Sequence, residues 1–209
     1  MSKDLVIVFV KNINLGKVKT RLAKTIGNQG AFEVYKELVQ VTENATKTIV
    51  SDIRIYFSEA IVDTKWKDTY KAVQQGKNLG ERMKNAFLKG FEDGYKRIVL
   101  IGSDLPDISA SHIQNGMDAL DHSEVVFGPA EDGGYYLIGM SKMNTCVFEN
   151  KPWSQSNLLK ETLQELQKLN ISISILDTLN DIDTYEDLIA SDFYINNETL
   201  QHKIKQLND

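Results

Sequence analysis

The sequence predicts an α/β fold in which a mainly parallel, twisted sheet is covered by helices on both faces. Three observations predict it. The chain opens on a short apolar, β-branched run; strand-like and helix-like segments then alternate towards the C-terminus; and no repeat, low-complexity tract or Pro/Gly-rich linker divides the 209 residues. Continuous apolar runs read as strands buried on both faces, and their alternation with helices is the pattern of parallel βα units.

Leu5-Val-Ile-Val-Phe-Val10 is the first such run. Phe32, Tyr35, Leu38, Val39, Thr42, Ala45 and Ile49 then recur at helical spacing, which predicts a long amphipathic helix over about 29–50 with Asn28 as its N-cap. Strands are expected at 53–57 and 72–74. Leu79, Met83, Ala86, Phe87 and Phe91 share a helical face that Gly94 ends, and Arg97-Ile-Val-Leu-Ile101 is the next buried strand. A helix over about 109–120, capped by Ser109 or Ser111, leads to strands at 124–127 and 134–140. Leu159, Leu163, Leu166 and Leu169 mark a helix within 154–169, a strand closes at 171–176, and two short helices fill the polar C-terminus. One domain over 1–190 with a helical tail over 191–209 is the expected organisation.

Composition narrows the function. Hydrophobic residues make up 42% and charged residues 25%, as in ordinary globular proteins. Leu5 to Val10 is too short to span a bilayer and has no basic n-region, so a cytoplasmic protein without a membrane span is expected. The single cysteine, Cys146, has no Cys or His neighbour at metal-ligand spacing and reads as a small core hydrophobe. The net charge of -5 argues against nucleic acid as a partner. That charge is uneven: Lys11, Lys17, Lys19, Arg21 and Lys24 form a basic stretch without an acid, while the rest of the chain holds 19 basic against 29 acidic residues.

In parallel sheets, ligands collect at the carboxyl ends of the strands, which directs attention to the segments after Val10, Ile101, Phe127 and Leu176. Lys11-Asn-Ile-Asn-Leu-Gly-Lys-Val-Lys-Thr-Arg21 combines one glycine, Gly16, with four cations, and suits phosphate groups if it is more than a solvated loop. Neither G-x-x-x-x-G-K-[ST] nor G-x-G-x-x-G is present, which removes support for P-loop and dinucleotide readings. Asp104, in Gly102-Ser-Asp-Leu-Pro106, is placed either to ligate Mg²⁺ or Mn²⁺ or simply to open a turn. Glu131 and Asp132 precede Gly133-Gly134, where a substrate could approach the backbone closely, although a plain hairpin explains the same residues. Asp183 is a second candidate carboxylate or the edge of a helix cap at Asp183-Thr184.

Gly16-Lys-Val-Lys-Thr-Arg-Leu22, Leu79-Gly-Glu-Arg-Met83, Gly102-Ser-Asp-Leu-Pro106, Gly128-Pro-Ala-Glu-Asp-Gly-Gly-Tyr-Tyr-Leu137, Trp153-Ser154 and Asp181-Ile-Asp-Thr-Tyr-Glu-Asp-Leu188 occur in an order that resembles the nucleotide-diphospho-sugar transferase superfamily. The likeness is strongest to bacterial proteins of its glycosyltransferase-A fold, some labelled as arsenosugar-biosynthesis transferases, and extends to phospholactate guanylyltransferase. It implies a three-layer α/β/α fold with a mainly parallel, mixed sheet. By resemblance Lys17, Lys19 and Arg21 bind phosphates, with Lys11, Gly16 and Ser103 in the same nucleotide-binding set, and Asp104 and Asp183 hold Mg²⁺ or Mn²⁺. Glu131 or Asp132 would orient the acceptor or take its proton, and Gly133, Gly134 and Trp153 would line the acceptor's place, Trp153 by stacking on a sugar face unless it is simply a core tryptophan. The partners implied are a nucleotide or nucleotide-sugar donor and a small-molecule acceptor, with a homodimer among the states allowed. The triplet Ser103-Asp104-Leu105 holds one aspartate where glycosyltransferases carry D-x-D, and Tyr185 stands where nucleotidyltransferases commonly place proline. Glycosyl transfer from a nucleotide sugar is the first expectation, nucleotidyl transfer from an NTP the second, and nucleotide sensing without catalysis the third.

Overall fold

A computed structural model describes residues 4–208. Seven strands form one sheet in the order β3-β2-β1-β4-β6-β5-β7. They are β1 (Asp4–Val10), β2 (Asp52–Phe57), β3 (Tyr70–Val73), β4 (Arg97–Ile101), β5 (Val125–Pro129), β6 (Tyr135–Met140) and β7 (Ile173–Ile175). All pair in parallel except β6, which runs antiparallel between β4 and β5. The sheet is therefore the mixed, mostly parallel one that the sequence predicts.

Alternation along β1 shows why the sheet is buried on both sides. Val6, Val8 and Val10 face one way, onto Tyr35 and Val39 of α1 (Ala23–Thr46) and Ile113 and Met117 of α3 (Ala110–Ala119). Leu5, Ile7 and Phe9 face the other way, onto Met83 and Phe87 of α2 (Leu79–Glu92) and Leu166 of α4 (Leu158–Lys168). Side chains one residue apart on a strand point to opposite faces, so one apolar run serves both helical layers. Cys146 is partly buried against the second of these cores, and burial pushes its thiol pKa up.

Several boundaries differ from the sequence expectation. Helix α1 begins at Ala23, its N-cap is Leu22 with no side-chain cap bond, and Asn28 lies inside it. The pattern nevertheless shifts at the right place, because Gly27 (φ 72, ψ 164) kinks the helix there. Helix α4 starts at Leu158, later than 154. The C-terminus holds three helices instead of two: α5 (Tyr185–Ala190), α6 (Asp192–Ile195) and α7 (Glu198–Asn208). Leu200 and Ile204 of α7 are buried with Leu22, Ile26 and Leu38, and Lys203 bonds Glu33 at 2.5 Å, so the last helix lies on α1.

Candidate functional site

The chain leaves β1 towards β2 and β3 on one side and reaches β4 on the other, so the crevice at the carboxyl ends of β1 and β4 is the topological switch point of the sheet. Three segments converge there: the loop after β1, the Gly102–Asp104 turn after β4, and the stretch after β7. Tyr35 of α1 ties the first two together. Its hydroxyl donates to the Lys11 carbonyl at 3.2 Å, accepts from the Lys11 amide at 3.0 Å, and lies 2.9 Å from Ser103 Oγ. Burial pushes the Tyr35 phenol up to about 12, so it stays a neutral hydrogen-bonding group. Asn12 anchors the other flank of the loop, its Oδ1 accepting from the amides of Glu59 and Ala60 and its Nδ2 donating to the Ala60 carbonyl. Tyr35→Phe keeps the ring but removes this bridge, and should lower stability in urea denaturation by about 1–2 kcal/mol.

Lys19 sits at the centre of the crevice. Its backbone takes the left-handed conformation (φ 44), and its side chain, only 5% exposed, points inward between two carboxylates. Nζ is 3.0 Å from Asp104 Oδ2 and 3.1 Å from Asp183 Oδ1. Burial opposes the charge on Lys19, but Asp104, Asp183 and Asp181 outweigh it and raise its pKa. Arg21 reaches Asp183 from outside, with Nη1 3.3 Å from Oδ2. The helix cap at this position belongs to Thr184, whose side chain and Asp187 form a capping box, which leaves the Asp183 carboxylate to face the cations.

Asp181, two residues before Asp183, is the carboxylate that reading the segment as a cap passes over; the D-x-D spacing was its available signal, because residues two apart in extended chain share a side. Burial and the neighbouring Asp104, with Asp183 and Asp132 adding to them against Lys19, raise its pKa from 3.8 to about 6. The folded protein thus holds a proton that the unfolded chain releases between about pH 4 and 6. Stability falls as pH rises through that window, and the whole penalty stands above it. Asp181→Asn should flatten this slope and stabilise the metal-free protein at pH 8 by roughly 1–2 kcal/mol, a value discounted for partial exposure; chemical denaturation at pH 4, 6 and 8 measures it.

Asp104, Asp181 and Asp183 line one end of a cleft of about 360 Å³. Asp132 and Gly134 line it from the β5–β6 hairpin, and Trp153 from the loop before α4. The hairpin tip is clamped: a Cβ on Gly133 (φ +88) would lie 1.9 Å from the Ser156 carbonyl oxygen, so only glycine lets the two loops meet. Of the residues proposed from sequence, the structure brings Asp104, Asp132, Asp183, Gly134 and Trp153 to the cleft and sets Lys19 and Arg21 against its carboxylates. Ser103 is buried beneath Asp104, on Tyr35. Lys17 is 65% exposed and pairs at 3.8 Å with Glu59, and Lys11, Gly16, Glu131 and Gly133 are not in the lining.

The donor set at Asp104 and Asp183 fits a hard divalent cation. Oxygens from both carboxylates converge on a single cationic atom, Lys19 Nζ, and Mg²⁺ takes one or two carboxylates together with phosphate oxygens. Among the described residues, no group of three or more Asp, Glu, His or Cys side chains is arranged to hold a metal, so further ligands would come from substrate or water.

Comparison with known proteins places this geometry in a family. Residues 42–155 match the family described as "Uncharacterized protein conserved in bacteria (DUF2064)". The chain belongs to DUF2064. A relative of known structure, a protein from Desulfovibrio desulfuricans G20 assigned as a nucleotide-diphospho-sugar transferase, is 32% identical and superimposes with a TM-score of 0.85 over 99% of both chains. The 2-phospho-L-lactate guanylyltransferase of Methanocaldococcus vulcanius is 26% identical over 191 residues, covering 88% of this chain and 82% of that protein. The inositol-1-phosphate CTP transferase of T. maritima shares the fold, with a TM-score of 0.54 at 15% identity over 98% and 96% of the two chains. The relatives with a stated activity are transferases, in keeping with the transferase expected from the sequence, and the fold is that of the nucleotide-diphospho-sugar transferases. No helix among the described residues is long and apolar enough to cross a membrane.

Proposed function

We propose that this DUF2064 chain is a nucleotidyltransferase that moves a nucleoside monophosphate from an NTP to a small acceptor. The observation that carries the reading is the convergence of Lys19, Arg21, Asp104 and Asp183 at the switch point, supported by the guanylyltransferase relatives. Lys19 and Arg21 would bind the triphosphate, Lys as a point charge and Arg as a fork. Asp104 and Asp183 would hold Mg²⁺ or Mn²⁺, which supplies charge neutralisation on the phosphates. An acceptor oxygen forms a bond to the α-phosphorus, the α–β P–O bond breaks, and pyrophosphate leaves with the electron pair. A hydroxyl acceptor gives its proton to Asp132, the exposed carboxylate on the cleft wall. Ser103, held by Tyr35, fixes the Asp104 turn.

Glycosyl transfer from a nucleotide sugar is the second reading, favoured by the assignment of the 32% identical relative. A thermal-shift panel of NTPs and nucleotide sugars, with and without Mg²⁺ or Mn²⁺, separates the two. A ligand at about 100 times its Kd stabilises by ~2.7 kcal/mol. A metal-dependent shift with an NTP is the expected result; a shift confined to nucleotide sugars moves the function to glycosyl transfer, and no shift with either class refutes nucleotide use.

A further inference from the structure

The cleft lining combines two chemistries: the carboxylates Asp104, Asp132, Asp181 and Asp183, and the apolar groups Leu79, Met83, Leu158 and Trp153. Among the described residues, no lysine, arginine or histidine lines the cavity. The nearest cations, Lys19 and Arg21, lie on the β1 side and are engaged by Asp104 and Asp183. Farther along, Asp132 accepts from the backbone amide of Gly134 at 2.8 Å and has no cationic partner among the described residues.

A triphosphate and its metal can satisfy the carboxylates at the switch point, but nothing comparable is available to an anionic group on the acceptor's body. A carboxylate entering beside Asp132 and Asp181 would give up its hydration to meet like charge and apolar surface, an arrangement that excludes anions. A hydroxyl or ammonium group there would donate to a carboxylate, and an apolar face would lie on the indole.

We propose that the acceptor of this chain carries no carboxylate: the cleft selects an uncharged or cationic body with one apolar face, set between Asp132 and Trp153. This selects against acceptors of the kind named for the 2-phospho-L-lactate guanylyltransferase relatives. As a statement about an acceptor it rests on the nucleotidyl-transfer reading; as a statement about the cleft it does not.

Two measurements test it. The first uses collisional quenching of tryptophan fluorescence. The chain has two tryptophans, and Trp66 is 5% exposed, so quenching reports on Trp153 in the cleft. Relative to their quenching of free N-acetyltryptophanamide, acrylamide and caesium should quench at least threefold more efficiently than iodide, and Asp132→Asn should narrow the gap. Iodide quenching as efficient as caesium on that normalised scale, or a gap indifferent to Asp132→Asn, overturns the selectivity of the cleft.

The second compares three small phosphate monoesters in pyrophosphate release with NTP and Mg²⁺: glycerol 3-phosphate, phosphoethanolamine and 2-phospho-L-lactate. All offer the same nucleophile and differ in body charge. Turnover with 2-phospho-L-lactate at least tenfold below the better of the other two is expected. Equal or faster turnover with 2-phospho-L-lactate overturns the proposal. Should none release pyrophosphate although an NTP stabilises the protein, the quenching result decides the proposal; should no NTP stabilise it, nucleotidyl transfer falls while the quenching result still judges the cleft.

Discussion

Asp104→Asn should lower metal-dependent turnover by about 10³-fold, equivalent to ~4 kcal/mol of transition-state stabilisation, while leaving the protein folded. The two halves of this expectation have separate origins. Asp104 is one of two carboxylates that converge on a single cation position, so an amide there would remove half of the anionic grip proposed for the metal. Folding tolerates the change because Lys19 keeps Asp183, and the Tyr35–Ser103 bond beneath the turn is untouched. Single-turnover rates at saturating Mg²⁺, with circular dichroism and a melting curve, check both halves. Activity above a tenth of wild type removes Asp104 from the reaction; a collapsed melting transition makes its role structural.

The second large effect is on stability. Lys19→Ala withdraws the central cation from Asp104, Asp181 and Asp183, leaving crowded carboxylates with only Arg21 at the rim. Removing one partner of a buried ion pair costs several kcal/mol, and the 40% exposure of the two aspartates reduces that to roughly 2–4 kcal/mol. Two conditions should return part of the loss. Mg²⁺ can take the place of Nζ, and acid below about pH 6 protonates Asp181. Urea denaturation at pH 5 and pH 8, with and without Mg²⁺, measures all four combinations. A variant as stable as wild type at pH 8 without metal shows that the carboxylates do not need this lysine.

Local sequence carried the architecture well where burial dictates residue type. Leu5–Val10 and Arg97–Ile101 are apolar because both faces of a central parallel strand are covered, and that requirement is visible in one dimension. Asp104 was legible for the same reason, as the first carboxylate past a buried strand. What was not legible depends on contacts far along the chain. Lys19 reads as one more loop cation; its inward turn needs Asp104 and Asp183, 85 and 164 residues away. Tyr35 shows in the sequence only as a core position of α1, since its hydroxyl function appears when the β1 and β4 loops close over it. Lys17, by contrast, carries the same charge as Lys19 in the same stretch and turns outward to Glu59. The early start of α1 escaped because Gly27 breaks its hydrophobic pattern, and the extra C-terminal helix because α6 is four residues long and buries none of them.

The one antiparallel strand has a consequence for how such a protein can diversify. Because β6 runs against its neighbours, the connection from β5 to β6 is a short turn at the crevice rim of the sheet, whereas parallel neighbours such as β1 and β2 are joined by a crossover. Asp132, Gly133 and Gly134 occupy that turn, whereas the residues proposed for the triphosphate come from β1, β4 and the segment after β7. On the proposed reading, acceptor choice would be written in one hairpin and could change without disturbing the segments that would hold the donor.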